Sequence, residues 1–290
     1  MRILLIGLGQ IGLGLIVPVF QKAGYEIIGT DANVERLSQL RNGYILETPN
    51  ETSKLMINVK EMSEIAGEFD LVITSVGRQH LGKVADWLKD KNISAPVLLA
   101  ENLPDPVNIF SRQIPIVVDR ICPRVEKQNG TLVAVAEDYF KIVVLDDPLT
   151  HRLSLIKGVE IEKTEEDVEA KRKKKMFTVN ISHVLASLYG QRLGCLLVEE
   201  AVQKPEISSK IQSAIAEIGP WLGLDGNQVS AKAEEIIKRF SSPLNDSMSR
   251  IVNLDKKASA LRYIEVPLNG LRSLGSPAPT LEEAYKLLTA

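Results

Sequence analysis

Ile3-Leu4-Leu5-Ile6-Gly7-Leu8-Gly9-Gln10-Ile11-Gly12 decides how the first half of this chain is read. Four consecutive apolar residues run into a glycine triplet. A helical pattern over Ile11 to Ala23 follows and ends at Gly24. A short continuous apolar run is the signature of a strand buried on both faces of a parallel sheet. Pro18 marks a kink or local break in the helix, because proline brings no N–H and crowds the preceding turn. Tyr25 to Thr30 reads as a second strand closed by Asp31, and Asn33 to Arg41 as the next helix. Together these make one complete βαβ unit.

Outward from that unit, Asp70 to Ser75 reads as a buried strand, preceded by a weaker one over Lys54 to Val59. Leu81 to Lys89 reads as a helix, and Val97 to Ala100 and Ile114 to Val118 as strands. Thr131 to Val135 and Lys141 to Leu145 read as a hairpin or an added sheet edge. Near Lys163 the period changes to helical, over Glu165 to Leu188, Glu199 to Trp221 and Ser230 to Phe240, with Pro243, Pro267, Pro277 and Pro279 marking breaks. The expectation is an α/β chain: a doubly wound sheet domain over residues 1–163, then an all-helical domain over 164–290.

The bulk numbers fit two modest soluble domains: 290 residues, 44% hydrophobic, 25% charged. A net charge of −2 gives no reason to expect a nucleic-acid partner. Two cysteines, Cys122 and Cys195, and three histidines, His80, His151 and His183, are too few and too scattered for a zinc cluster, so no metal is expected. The run Ile3 to Ile6 is too short for a signal peptide. Other apolar stretches fall short of the ~20 residues of a membrane span. A cytoplasmic protein without membrane contact is expected; the oligomeric state is not legible.

The glycine triplet follows a strand, opens a helix, and is followed by an acidic strand end 19 residues after Gly12, which is the context of a dinucleotide fingerprint. Gly7 permits the tight turn, Gly9 lets backbone approach a pyrophosphate, and Gly12 lets helix and strand pack closely. Gln10 and Ile11 open the helix whose N-terminal N–H groups would face the pyrophosphate. Asp31 can accept from both ribose hydroxyls and would repel a 2′-phosphate, so NAD is expected over NADP. Gly77, after a later strand, either passes close to the cofactor or is a plain turn glycine.

Lys175-Met176-Phe177-Thr178-Val179-Asn180-Ile181-Ser182-His183 places an amine, an amide and an imidazole on one predicted helix. Removing a hydride from an alcohol requires a base for the hydroxyl proton and donors for the oxygen as it becomes a carbonyl. Asn180 and His183 share a face, but Lys175 is about 140° from Asn180 on a regular helix. The run Lys171 to Lys175 has a second reading, a solvated basic face paired with Asp167 and Glu169 four residues earlier. Arg172 either lowers the proton affinity of Lys175 or binds a substrate phosphate.

These motifs, with Ala100-Glu101-Asn102-Leu103-Pro104, Val118-Asp119-Arg120-Ile121-Cys122-Pro123, Arg239-Phe240-Ser241-Ser242-Pro243 and the segment Pro267 to Gly275, resemble the polyol-specific long-chain dehydrogenases. The resemblance spans most of the chain. It implies a Rossmann domain plus a helical substrate domain, and metal-free, NAD-linked interconversion of a polyol or polyol phosphate with a ketose. It implies Lys175 as the acid–base, Asn102 and Asn180 as amides on the reacting oxygen, His183 beside them, and Asp119 nearby. The chain departs from the family at Leu13, where arginine is usual, and over Asp255 to Arg262, a degraded form of a family segment that leaves Arg262 as a substrate-binding candidate. Competing expectations are a hexuronate or ketopantoate-like keto-acid reductase and a non-catalytic NAD-sensing module.

Overall fold

The computed structural model describes residues 1–101, 107–253 and 257–290. It divides into two compact units, Met1–Lys171 and Arg172–Ala290. The expected boundary at 163/164 falls just before the helix that carries this division.

In the first unit the chain runs β1 (Arg2–Ile6), α1 (Val17–Lys22), β2 (Glu26–Thr30), α2 (Val34–Leu40), β3 (Tyr44–Glu47), β4 (Thr52–Leu55), β5 (Asn58–Val59) and β6 (Leu71–Thr74). It continues with α3 (Leu81–Asp90), β7 (Val97–Leu99), β8 (Gln113–Ile114), β9 (Ile116–Asp119), β10 (Arg124–Gln128), β11 (Thr131–Val135), β12 (Lys141–Leu145) and β13 (Val159–Glu162). Six strands form a sheet in the order β5-β2-β1-β6-β7-β8, and every pairing in it is parallel. β1 and β6 are buried along nearly their whole length, as the continuous apolar runs required. From β1 the chain builds toward β5, then crosses to β6 on the other side. The strand order therefore reverses between β1 and β6, and their carboxyl ends, Ile6 and Thr74, open the crevice where such sheets bind ligands.

Two smaller sheets, β10-β11-β3-β4 and β13-β12-β9, complete this unit. They correct the expected hairpin or added sheet edge of Thr131–Val135 and Lys141–Leu145, because β11 and β12 lie in different sheets and each has a neighbour on both sides. β11 instead pairs antiparallel with β10, in register from Arg124↔Val135 to Gln128↔Thr131. The turn residues Asn129 (φ 48°) and Gly130 (φ 85°) take the left-handed conformations of a tight hairpin. β10 carries exposed charges and no apolar run, so composition hid it. The weak strand over Lys54–Val59 is likewise two strands in separate sheets.

The second unit is helical. The helix α4 (Glu165–Lys175) enters it and leads through a π-helical turn, Met176–Asn180, into α5 (Ile181–Arg192). α6 (Val198–Val202), α7 (Pro205–Ile218), α8 (Gly226–Phe240), α9 (Lys257–Ser273) and α10 (Pro279–Thr289) follow. α5 is buried from Ile181 to Gly190 except at His183, with α6, α7, α9 and α10 around it, which is why its sequence lacks a polar face. The single helix expected over Glu199–Trp221 breaks before Pro205, which starts α7 at its first turn. Pro267, expected as a break, lies inside α9 instead. Buried Ile264, Leu268 and Leu271 hold that helix to the core across the missing N–H. Among the described residues no helix is long and apolar enough to cross a membrane.

Candidate active site

The glycine turn in the first unit separates internal from external requirements. Gly7 has φ +98°, and a Cβ there would lie 2.5 Å from the Ser75 carbonyl oxygen. A Cβ at Gly12 would lie 2.2 Å from the Gly7 carbonyl oxygen. Both glycines are therefore demanded by the chain's own packing. A Cβ at Gly9 would meet nothing within 4 Å. Among the described residues nothing requires that glycine, whereas a pyrophosphate lying against the backbone would. Gln10 is exposed and Ile11 half-buried at the start of the helix. Asp31 accepts from Leu8 N–H through Oδ2 at 2.8 Å and from Asn33 N–H through Oδ1 at 2.9 Å, and Arg36 reaches Oδ2 at 3.4 Å. The residues fit a dinucleotide with free ribose hydroxyls.

The helix opening at Gly12 begins as a π turn, Gly12–Ile16, and meets Pro18. Proline has no N–H for the carbonyls four and five residues before it. The Leu13 carbonyl takes its donor from Tyr44 Oη at 2.7 Å, and the Gly14 carbonyl takes one from Arg120 Nη1 at 2.6 Å. Arg120 also donates to the Glu137 carbonyl at 2.8 Å, and Gln10 Nε2 donates to the Pro123 carbonyl at 2.6 Å. The Val118–Pro123 segment thus braces the cofactor turn, a relation that sequence spacing does not reveal. Burial pushes the Arg120 guanidinium down, against the pull of Glu137 and Asp138. Asp119, on the same segment, is buried at the end of β9.

Gly77 has φ +86°, and its N–H donates to Glu101 Oε2 at 2.9 Å, beside a 2.7 Å bond from Val76 N–H to Oε1. Burial raises the Glu101 carboxyl despite these two donors. Glu101 therefore shapes the turn after β6, a role its motif did not announce. Asn102 lies outside the described residues.

In the second unit the π turn changes the geometry of the lysine helix. A π turn closes hydrogen bonds over five residues, so residues five apart come nearer to one face than they do on an α-helix. Lys175 immediately precedes this turn and Asn180 is its last residue. The wide offset of a regular helix is thereby reduced, and His183 follows one α-helical turn after Asn180. Thr178 Oγ1 donates to the Lys174 carbonyl at 2.8 Å, and Ser182 Oγ to the Thr178 carbonyl at 2.7 Å. These two hydroxyls, four apart, are the only local hint of a distorted helix in the sequence. Asn180 Nδ2 donates to Tyr263 Oη at 3.1 Å and lies 3.2 Å from Met176 Sδ.

His183 Nε2 lies 2.9 Å from Asp246 Oδ2, and its ring stacks on Phe240 at 4.4 Å between centroids. Arg250 grips Asp246 with two bonds, Nε to Oδ1 at 2.5 Å and Nη2 to Oδ2 at 2.7 Å. Burial pushes the Asp246 carboxyl up, but His183 and Arg250 outweigh it and hold it well below the usual carboxylate range. Burial lowers His183, against the pull of Asp246. Asp246, Arg250 and Tyr263 were not singled out in the sequence. They lie beyond the Arg239–Pro243 motif, and only the four-residue spacing of Asp246 and Arg250 could have suggested a pair.

Arg172 is half-buried on α4, and Arg262 is exposed on α9. The expected Asp167–Lys171 pair is replaced. Lys171 reaches Glu160 at 3.4 Å and Glu162 at 3.6 Å, while Asp167 bonds Thr164 Oγ1 at 2.8 Å at the helix start. Lys173, expected on a solvated face, sets its ammonium 3.8 Å from the Trp221 ring centroid, and burial lowers its proton affinity. Among the described residues there is no group of three or more metal-ligating side chains.

No family model matches this chain. It is 26% identical over 294 residues to a mannitol-1-phosphate 5-dehydrogenase of Bacillus pumilus strain SAFR-032, an alignment covering 87% of this chain and 78% of that protein. The chain is a relative of the mannitol-1-phosphate 5-dehydrogenases. The fold agrees: Pseudomonas fluorescens mannitol 2-dehydrogenase, solved as a ternary complex with NAD and D-mannitol, superposes with a TM-score of 0.80 at 14% identity, covering 99% of this chain and 79% of that one. A PanE/ApbA family ketopantoate reductase from Ralstonia eutropha JMP134 superposes at 0.66 and 15% identity, covering 100% and 97%. The architecture is therefore shared by polyol and keto-acid enzymes, and the choice between them rests on the relatives in sequence.

Proposed function

We propose that this chain is an NAD-dependent oxidoreductase that interconverts a polyol or polyol phosphate, of the mannitol 1-phosphate kind, with the corresponding ketose. The observation that carries the proposal is the π turn, which brings Lys175 and Asn180 nearer to one face, with His183 one turn after Asn180, in a chain related to mannitol-1-phosphate 5-dehydrogenases. The turn of Gly7, Gly9 and Gly12 with Asp31 would hold the cofactor, which when bound supplies the hydride acceptor. Lys175 takes the hydroxyl proton in the oxidative direction. Asn180, and Asn102 by the family resemblance, donate to the oxygen as it gains carbonyl character. To serve as a base near neutrality, Lys175 must hold its proton far more weakly than an ordinary amine at about 10.4. Arg172, on the preceding turn, is a cation that favours this. Asp119, Arg172 and Arg262 are the candidates for the remaining substrate groups, and a cytoplasmic setting without nucleic-acid or membrane partners suits such a substrate.

A panel of polyols and polyol phosphates with NAD, followed by NADH absorbance, tests the proposal. Turnover with at least one of them is expected. In that assay Lys175→Ala should lower kcat by about 10²-fold or more, the usual scale for a general base, with NADH affinity unchanged. Near wild-type turnover in this variant moves the proton to another group. The shared architecture also favours one alternative, reduction of a keto acid, and turnover confined to 2-keto acids with NADH would replace the polyol reading.

A further inference from the structure

We propose that Asp246 is a positioning residue that fixes His183 with its proton on Nε2, so that Nδ1 faces substrate only as a hydrogen-bond acceptor and reads a hydroxyl beside the reacting carbon. The proposal deepens the polyol reading and rests on it for the identity of the substrate.

Asp246 Oδ2 is 2.9 Å from Nε2, and both carboxylate oxygens are already gripped by the Arg250 guanidinium. A carboxylate so paired is acceptor-only. Nε2 must then carry the hydrogen, and in the neutral ring Nδ1 keeps its lone pair. Phe240 stacks on the ring, 24° from parallel, and turning the ring over would replace Nε2 by a carbon beside Asp246 and lose that hydrogen bond.

Asp246 is itself held from several sides. Its N–H donates to Glu199 Oε2 at 3.2 Å, its carbonyl accepts from Val198 N–H at 2.9 Å, and Asn245 N–H donates to Glu199 Oε1 at 2.6 Å. Asn245 stands at φ 52°, a conformation asparagine tolerates better than most residues, just where the chain turns to present Asp246. A carboxylate only 4% exposed, with a guanidinium and an imidazole, is a costly way to fill space that apolar side chains would fill as well. The His183 side chain keeps 13% of its surface exposed, and Nδ1 has no partner among the described residues. The polar atom left for a ligand is therefore Nδ1, and what it can take is a donor. A polyol hydroxyl is such a donor, and an ionised phosphate is not.

The wild-type protein gives the first test. Long-range nitrogen–proton spectra of the histidine-labelled protein at neutral pH, with His183 assigned by loss of its signals in His183→Asn, are expected to show the Nε2–H tautomer. An Nδ1–H tautomer or an imidazolium overturns the proposal. The second test is Asp246→Asn, nearly isosteric but with an amide that cannot satisfy Arg250 and the Nε2–H together. With a polyol that the wild type turns over, kcat/KM should fall at least about tenfold, the low end for outer carboxylate partners of histidine. NADH affinity by fluorescence titration should be unchanged. The His183 spectrum should shift toward the other tautomer. Unchanged kcat/KM in this variant overturns the proposal. Failure of the polyol reading looks different: wild-type protein that binds NADH and oxidises no polyol, a result independent of the tautomer spectrum.

Discussion

Asp31 serves the fold and the cofactor with one carboxylate. Its two oxygens close the turn through Leu8 and Asn33 N–H groups, and Arg36 stands 3.4 Å away. That neighbour sharpens the expectation from sequence, since arginine is what accommodates a 2′-phosphate in enzymes that use NADP. Asp31→Ala should weaken NAD binding by the loss of a charged hydrogen bond, roughly 1.5–3 kcal/mol, or about ten- to a hundredfold. It should also release Arg36, so that the preference for NAD over NADP, measured as a ratio of kcat/KM values, falls by more than the NAD loss alone. A wild type that already prefers NADP sinks this assignment. Asp31 and Gly12 were legible in the sequence because their partners lie within one βαβ unit and its flanks. Glu101 and Asp246 were not, because each is defined by backbone or side chains from a distant segment.

At the scale of elements, the helix after the glycine turn begins with a π turn and the lysine helix is broken by one. The sequence predicted a kink or local break at Pro18 in the first and a plain helix in the second. Pro18 was legible as a disturbance, but its consequence was not: Tyr44 and Arg120, from a strand and a loop far along the chain, supply donors to the carbonyls it strands. Burial pushes the Tyr44 hydroxyl up, so it stays protonated and donates. Tyr44→Phe should leave the Leu13 carbonyl unpaired in the core. That loss costs about 1–3 kcal/mol, read as a melting temperature lower by a few degrees in a chain of this size. Because the carbonyl sits in the first turns of the cofactor helix, NADH affinity should fall as well. Thermal melting and NADH titration of the same preparation check both, and an unchanged pair of values would mean the carbonyl finds another donor.

For the whole molecule, the buried Asp246–Arg250–His183 cluster sets a pH signature on stability. The folded carboxyl titrates below its unfolded value of about 3.9. Its contribution is therefore fully present above that value and is lost as the pH falls below it, because the unfolded chain takes the proton first. Removing one charge of a buried pair costs roughly 3–5 kcal/mol. The difference in melting temperature between wild type and Asp246→Asn should shrink as the pH falls below about 4. A gap that persists unchanged into stronger acid would place the carboxyl at an ordinary value. The sequence by itself determined the doubly wound sheet, the helical second half, the dinucleotide turn and the lysine helix, since each is written in hydrophobic period and glycine spacing over a few tens of residues. Only the tertiary structure decided that β11 and β12 part into different sheets, that a π turn separates Lys175 from Ile181, that Arg120 braces the helix after the glycine turn, and that Asp246 pairs with His183. Pairing across sheets and donors for stranded carbonyls depend on which distant segments arrive in space, and local pattern carries no record of that.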